Sequence, residues 1–176
     1  MGDFECESER LLFYPPELER DSEVYELFND AETMLPHLQI LFGISEVDLT
    51  ARREQQRLGW TNGSSRYLDV VEKASGAFVG VAGFRLVDRE KETAEFGIII
   101  TSAHQRKGFA SEIFKANIHY ADSELKCTTI AAATKNPIML TFLGKRGMTV
   151  VEQNTGSNDE WIRLEGRTKD ILKVCL

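Results

Sequence analysis

The segment TAEFGIIITSAHQRKGFASEIF, residues 93–114, constrains the fold more than any other stretch of the chain. Its first part, AEFGIII, begins polar and becomes continuously branched and apolar, the pattern of a buried strand. Its last part opens an amphipathic helix predicted from Gly108 to about Leu125. Between them, HQRKG is a turn carrying two basic residues and a glycine. In a strand–turn–helix unit the first helical N–H groups lack intrahelical partners, and the aligned peptide dipoles favour negative charge there. Such a turn suits an anion, a phosphate first. Gly108 tolerates a positive φ and lets the backbone approach closely, Ala110 keeps the next turn slim, and N–H groups from about Arg106 to Ser111 can converge on oxygens. The alternative is an ordinary connection in which Arg106 and Lys107 are solvated. A P-loop is excluded by the missing lysine-serine ending, and a dinucleotide fingerprint by its missing glycines.

The elements around this unit follow from periodicity. ERLLFYPP reads as an opening strand stopped by Pro15 and Pro16. Helical patterning follows, with Asp21 a candidate N-cap, Val24, Leu27 and Phe28 on one face, and Pro36 interrupting. SEVDLTARREQQRLGW gives a charged helix capped by Ser45, with Asp48 completing a capping-box-like pattern. From Arg66 the period changes. RYLDVVEK, AFVGVAGFRLVD and TAEFGIIIT predict an antiparallel meander. The helix after Gly108, the strand CTTIAAAT, a helix started by Asn136-Pro137, and the strands MTVVEQN and EWIRLEG complete the chain.

Composition bounds the functional classes. With 176 residues, 42% hydrophobic and 28% charged, the expectation is one globular domain over residues 1–176. A net charge of −7 argues against a nonspecific grip on nucleic acid, while suiting either a cationic acceptor or simple solubility. No apolar run approaches a membrane span, and MGDFECESER is unlike a signal peptide, so a cytoplasmic protein without membrane partners is expected. Cys6, Cys127 and Cys175 are odd in number and far apart, which predicts reduced thiols and no metal site. His37, His104 and His119 have no nucleophile pattern around them and read as packing or surface residues.

The element order, with Gln105, Arg106, Lys107, Gly108, Phe109 and Ala110 filling an R/Q-x-x-G-x-G/A turn, resembles the GNAT superfamily of acetyl-CoA-dependent N-acetyltransferases. The N-terminal ERL strand, GFASEIF, and NPIMLTFLGKRGM with Asn136, Gly147 and Met148 resemble its ribosomal-protein alanine acetyltransferase (Rim-like) branch. The resemblance implies an α/β fold with a mixed, twisted sheet of about seven strands flanked by helices, its fourth and fifth strands splayed. It implies acetyl-CoA as cosubstrate, bound through Gln105 to Ser111, the backbone of Ile98, Ile99 and Ile100, and Asn136. Asn136 is equally a helix start. The acceptor would be a primary amine, on a small molecule such as an aminoglycoside or polyamine or at a peptide N-terminus, and the protein a monomer or homodimer. Its pocket is expected around Thr33 to Trp60 and Gly156 to Trp161.

Gly97 interrupts a branched run and predicts a bulge or a close backbone approach. Attack on a thioester needs a neutral amine, so a base must take a proton. Glu95, two residues before Gly97, resembles the family's E-x-G glutamate. Its alternative role is a strand carboxylate paired with Arg85 or Lys91. Where many relatives carry a tyrosine to protonate the thiolate this chain has Leu143, and where the Rim-like branch has a serine it has Met139. Thr141, Tyr120 or water are the alternatives, and the acid is unassigned. The departure also admits a non-catalytic acyl-CoA-binding module.

Overall fold

The computed structural model describes residues 5–36, 38–154 and 161–175. His37 and the stretch 156–160 of the expected acceptor pocket lie outside them. Eight strands form one mixed sheet: β1 Cys6–Glu7, β2 Leu11–Tyr14, β3 Arg66–Glu72, β4 Phe78–Asp88, β5 Thr93–Ile100, β6 Thr129–Thr134, β7 Thr149–Asn154 and β8 Trp161–Arg167. The spatial order is β1-β2-β3-β4-β5-β6-β8-β7. Only β5 and β6 run parallel, because the helix connecting them returns the chain to the same end of the sheet. The strand beyond the expected seven is the two-residue β1.

Alternation sorts the side chains to two faces. On one face Phe84, Ala94, Phe96, Ile130 and Leu164 pack with Phe114 and Ile118 of α4 (Phe109–Tyr120) and Leu143 of α5 (Pro137–Gly144). Ile171 of α6 (Thr168–Cys175), a helix the sequence reading did not foresee, joins this core. On the other face Tyr67, Val81 and Ile99 meet Val24, Leu27 and Phe28 of α1 (Asp21–Asn29), Met34 of α2 (Ala31–Met34) and Leu49 of α3 (Glu46–Asn62).

Three local expectations meet different outcomes. Ser45 caps α3, its Oγ accepting from Asp48 N at 3.1 Å. Asp21 is not a cap. It is the first residue of α1, and its carboxylate takes Arg53 Nε at 2.6 Å and Arg57 Nη1 at 3.1 Å, two charged donors that outcompete a backbone N–H. Arg53 also forks onto Asp69 of β3, at 2.9 and 2.7 Å, and both side chains are buried, so α1 and α3 are tied to the sheet. The bulge expected at Gly97 lies instead between Phe84 and Leu86 on β4, where Arg85 is the extra residue opposite Glu95. Gly97 keeps regular pairing with Gly83.

Candidate active site

The turn before α4 has the features its sequence predicts. Arg106 and Gly108 are left-handed, with φ of 61° and 83°. The N–H groups of Ser111 and Glu112 go to the Gly108 carbonyl at 3.1 and 3.4 Å. Those of Arg106, Lys107, Gly108, Phe109 and Ala110 have no backbone acceptor among the described residues. Five successive N–H donors without a backbone partner thus lead into the N-terminus of a twelve-residue helix, an arrangement that favours an anion.

Gln105 belongs to this loop but braces it. Its N–H donates to Ser102 O at 3.3 Å and its Nε2 to Ile100 O at 3.0 Å. Two arginines that the sequence reading missed frame the turn. Arg10 donates to Lys107 O at 3.0 Å, and its guanidinium lies 4.5 Å from the centre of the Phe109 ring. Arg146 donates to Ser111 Oγ at 2.7 Å and stacks 3.5 Å from the Phe142 ring centre. Burial holds the Arg146 guanidinium below its ordinary value. The only signal for either was its basic type, since each is brought in from a distant segment.

Glu112, in the first turn of α4, anchors Arg10. It accepts from Ser8 Oγ at 2.6 Å, Arg10 N at 2.7 Å and Arg10 Nε at 2.8 Å. Burial alone would raise its carboxyl, but these hydrogen bonds outweigh it and hold the group below the usual range.

From the loop, β5 leads to the centre of the sheet. It pairs with β6 only at Thr93–Thr129, Ala94–Ile130 and Glu95–Ala131. Beyond Glu95 the two strands part, while β5 continues to Ile100 on its β4 side and β6 to Thr134 on its β8 side. The expected splay is therefore present, and the edge of β5 from Phe96 to Ile100 is open to an extended ligand. Ile98 and Ile100 pack toward α4 and Ile99 toward α1–α3, all half-buried. Asn136, at the head of α5, is buried and accepts from Ile138 N at 2.9 Å, so its helix-start role is fulfilled.

Glu95 marks the closed end of this wedge. Its side chain is 14% exposed and ion-paired with Arg85, and Arg163 Nη1 of β8 lies 3.9 Å from Oε2. The bulge delivers Arg85 to it, while Lys91 pairs with Asp88 instead. Arg163 also donates to Glu165 at 3.1 Å. The two substitute acids are engaged elsewhere. Thr141 Oγ1 donates to Pro137 O at 2.9 Å, and Tyr120 Oη donates to Glu5 at 2.7 Å. Leu143 is fully buried. His104 contacts Thr101 Oγ1 through Nδ1 at 2.7 Å, with burial and then Lys107 lowering its affinity for a proton. Among the described residues no group of histidine, cysteine and carboxylate side chains is placed to hold a metal, and no helix is long and apolar enough to cross a membrane.

Residues 10–149 match the family model described as the acetyltransferase (GNAT) domain. An uncharacterized N-acetyltransferase, p20, of Bacillus licheniformis is 31% identical over 70 residues, which span 40% of this chain and only 39% of that protein. Among solved structures, spermidine N-acetyltransferase from Vibrio cholerae in complex with CoA and spermine superposes with a TM-score of 0.75 at 17% identity, covering 93% of this chain and 98% of that one. The microcin C7 self-immunity acetyltransferase MccE, in complex with acetyl-CoA and AMP, gives 0.74 at 18% identity over 90% and 93%. At these identities the likeness concerns the fold.

Proposed function

The chain belongs to the acetyltransferase (GNAT) domain family, and from that premise we propose that it transfers acetyl from acetyl-CoA to a primary amine by direct attack in a ternary complex. The observation that carries this reading is one continuous path. Five open N–H donors at the start of α4 lead to the free edge of β5, which ends at a half-buried carboxylate, Glu95.

In this reading Arg106 to Ala110 hold the pyrophosphate through their N–H groups, with Arg10 and Arg146 framing the turn. Ile98 to Ile100 bind the pantetheine arm as a neighbouring strand would. Backbone N–H groups near Ile98 face the thioester oxygen and stabilise its developing charge. Glu95 takes the proton from the acceptor's ammonium group. Arg85, whose side chain is 64% exposed, is free to give way when that cation arrives.

The acceptor class includes small amines and protein N-termini. The ERL strand and GFASEIF, which resemble the ribosomal-protein branch, support the latter. The path favours catalysis over a non-catalytic acyl-CoA-binding module, because a module needs no carboxylate at the closed end. The test is release of free CoA thiol against a panel of amines and N-terminal peptides, with acetyl-CoA binding measured in parallel. Amine-dependent release supports transfer. Binding without release for every acceptor refutes it in favour of the module.

A further inference from the structure

The wedge between β5 and β6 closes at Glu95 and Ala131. A thioester carried along the free edge of β5 must stop there, so its reacting carbon lies beside Phe96 to Ile98. Tyr67 on β3, Gly83 on β4 and Gly97 on β5 form one row across the sheet. Paired residues of neighbouring strands share a face, and neither glycine projects a side chain, so the row is open for the Tyr67 ring to cross. The ring uses it. A Cβ placed on Gly97 would lie 3.5 Å from Tyr67 Cε2 and 3.7 Å from its hydroxyl oxygen. Gly97 is therefore a gap that brings a phenol over β5, beside the residues that border the end of the wedge.

Tyr67 is 8% exposed, and its hydroxyl has no hydrogen-bond partner among the described residues. The oxygen is not among the fully buried unpaired side-chain atoms of the described residues, so it is accessible as well as uncommitted, free to meet a ligand at the end of the wedge. Among the side chains, Thr141 and Tyr120 bond to Pro137 and Glu5, and Leu143 and Met139 carry no proton to give, which leaves Tyr67 and water.

We infer that Tyr67 is the proton donor to the departing thiolate, an assignment that rests on the acetyl-transfer reading above. After Glu95 has taken one proton from the ammonium group, the amine nitrogen attacks the carbonyl carbon. The resulting tetrahedral carbon holds both the N–H⁺ and the sulfur, near enough together for one phenol oxygen to serve both. As the C–S bond breaks, Tyr67 Oη gives its proton to sulfur and receives the proton leaving nitrogen. The phenol is regenerated, the amide and the free thiol form, and the proton on Glu95 returns to water. Burial raises the Tyr67 phenol above its ordinary value, with Arg52 and Arg85 nearby partly offsetting this, so it is protonated throughout the neutral range.

Two variants test the assignment. Tyr67→Phe keeps the ring across Gly83 and Gly97, and is expected to lower kcat roughly 10²-fold while acetyl-CoA affinity and thermal stability hold. Replacement of Tyr67 by 3-fluorotyrosine keeps a more acidic phenol. It is expected to retain turnover, to move the high-pH decline of kcat to lower pH, and to show a fluorine resonance that shifts when acetyl-CoA is added without acceptor. Near wild-type kcat in Tyr67→Phe, or a fluorine signal indifferent to acetyl-CoA, overturns the assignment and leaves acetyl transfer standing. An unmutated protein that binds acetyl-CoA yet turns over no amine overturns both. If Tyr67→Phe does not fold, the fluorotyrosine protein still decides through its pH profile and its resonance.

Discussion

Replacing Gly108 with valine perturbs the turn before α4 in two measurable ways. Gly108 sits at φ 83° and ψ −3°, a left-handed conformation that costs an L-residue about 1–2 kcal/mol, and a branched one more. For a chain of this length each kcal/mol moves the melting temperature by about 2–4 °C, so a fall of about 2–8 °C is expected. Collision contributes little, since the added Cβ would meet only Arg10 Nη2, at 3.5 Å. The damage is backbone rotation. Relaxing φ toward negative values re-aims the N–H groups of Gly108 and Phe109, which the proposed anion site needs in their present directions. A hydrogen bond to a charged acceptor contributes about 1.5–3 kcal/mol, and each 1.4 kcal/mol is about tenfold in Kd. Loss of one such bond should weaken CoA binding by about 10- to 100-fold. Calorimetric titration with CoA, beside a thermal scan, reads both effects. Gly108→Ala should show the same pattern at smaller amplitude. A folded Gly108→Val protein with unchanged CoA affinity would refute the proposed anion site.

Glu95→Gln keeps the shape of the base but cannot accept a proton, so kcat should fall roughly 10²–10⁴-fold with acetyl-CoA affinity nearly unchanged, and the deficit should shrink at high pH where more amine is already neutral. Equal activity of the two proteins at neutral pH would remove Glu95 from the mechanism. Asp69→Ala leaves the buried Arg53 with Asp21 as its remaining carboxylate and its forked donors unpaired, and should cost about 1–3 kcal/mol in denaturant unfolding, whereas a loss near zero would show that the pair is not what holds α3 on the sheet. Because folding depresses the Glu112 carboxyl, its stabilisation is present above the ordinary glutamate range and is lost as pH falls through the lowered native value. Glu112→Gln should thus be less stable than the parent at neutral pH, with the difference closing in acid. A constant difference across the acid limb would contradict that origin.

The turn was legible in the sequence because its requirements are local: a glycine able to adopt positive φ, a helix beginning at the next residue, and an apolar strand just before. The chemistry around Glu95 was only half legible, because its neighbours come from across the sheet. Gly97 illustrates the difficulty. A glycine in a strand is a gap in a row of side chains, and the sequence does not say what fills it. The sequence predicts a bulge or a close backbone approach there, whereas the gap is occupied by the side chain of Tyr67, thirty positions earlier, reaching across Gly83. The tight backbone approaches belong to β4 instead. A Cβ on Gly80 would lie 2.1 Å from Ile99 O, and one on Gly83 would lie 2.2 Å from Arg66 O. Asp21 failed as a cap for a related reason, since Arg53 and Arg57, thirty-two and thirty-six residues on, claim its carboxylate.

Net charge misleads in the same way. At −7 the chain invites a cationic acceptor, yet the groups on the Glu95 carboxylate are Arg85 and Arg163, the latter from a strand inserted between β6 and β7. Fields from remote surface carboxylates are screened within about 8–10 Å at ordinary ionic strength, so they steer the approach of an amine and do not select it. Selection falls to the few charges at the closed end of the wedge. There an ammonium group gains most by displacing Arg85 from Glu95, and a second positive charge on the same acceptor would meet Arg163. An acceptor with one ammonium group near the reacting carbon therefore fits this end of the site better than one with two closely spaced. Comparing kcat/KM for a monoamine with that for a short diamine, before and after Arg163→Gln, measures the difference. The substitution should relieve the penalty on the diamine, and an unchanged ratio would show that Arg163 does not act on the acceptor.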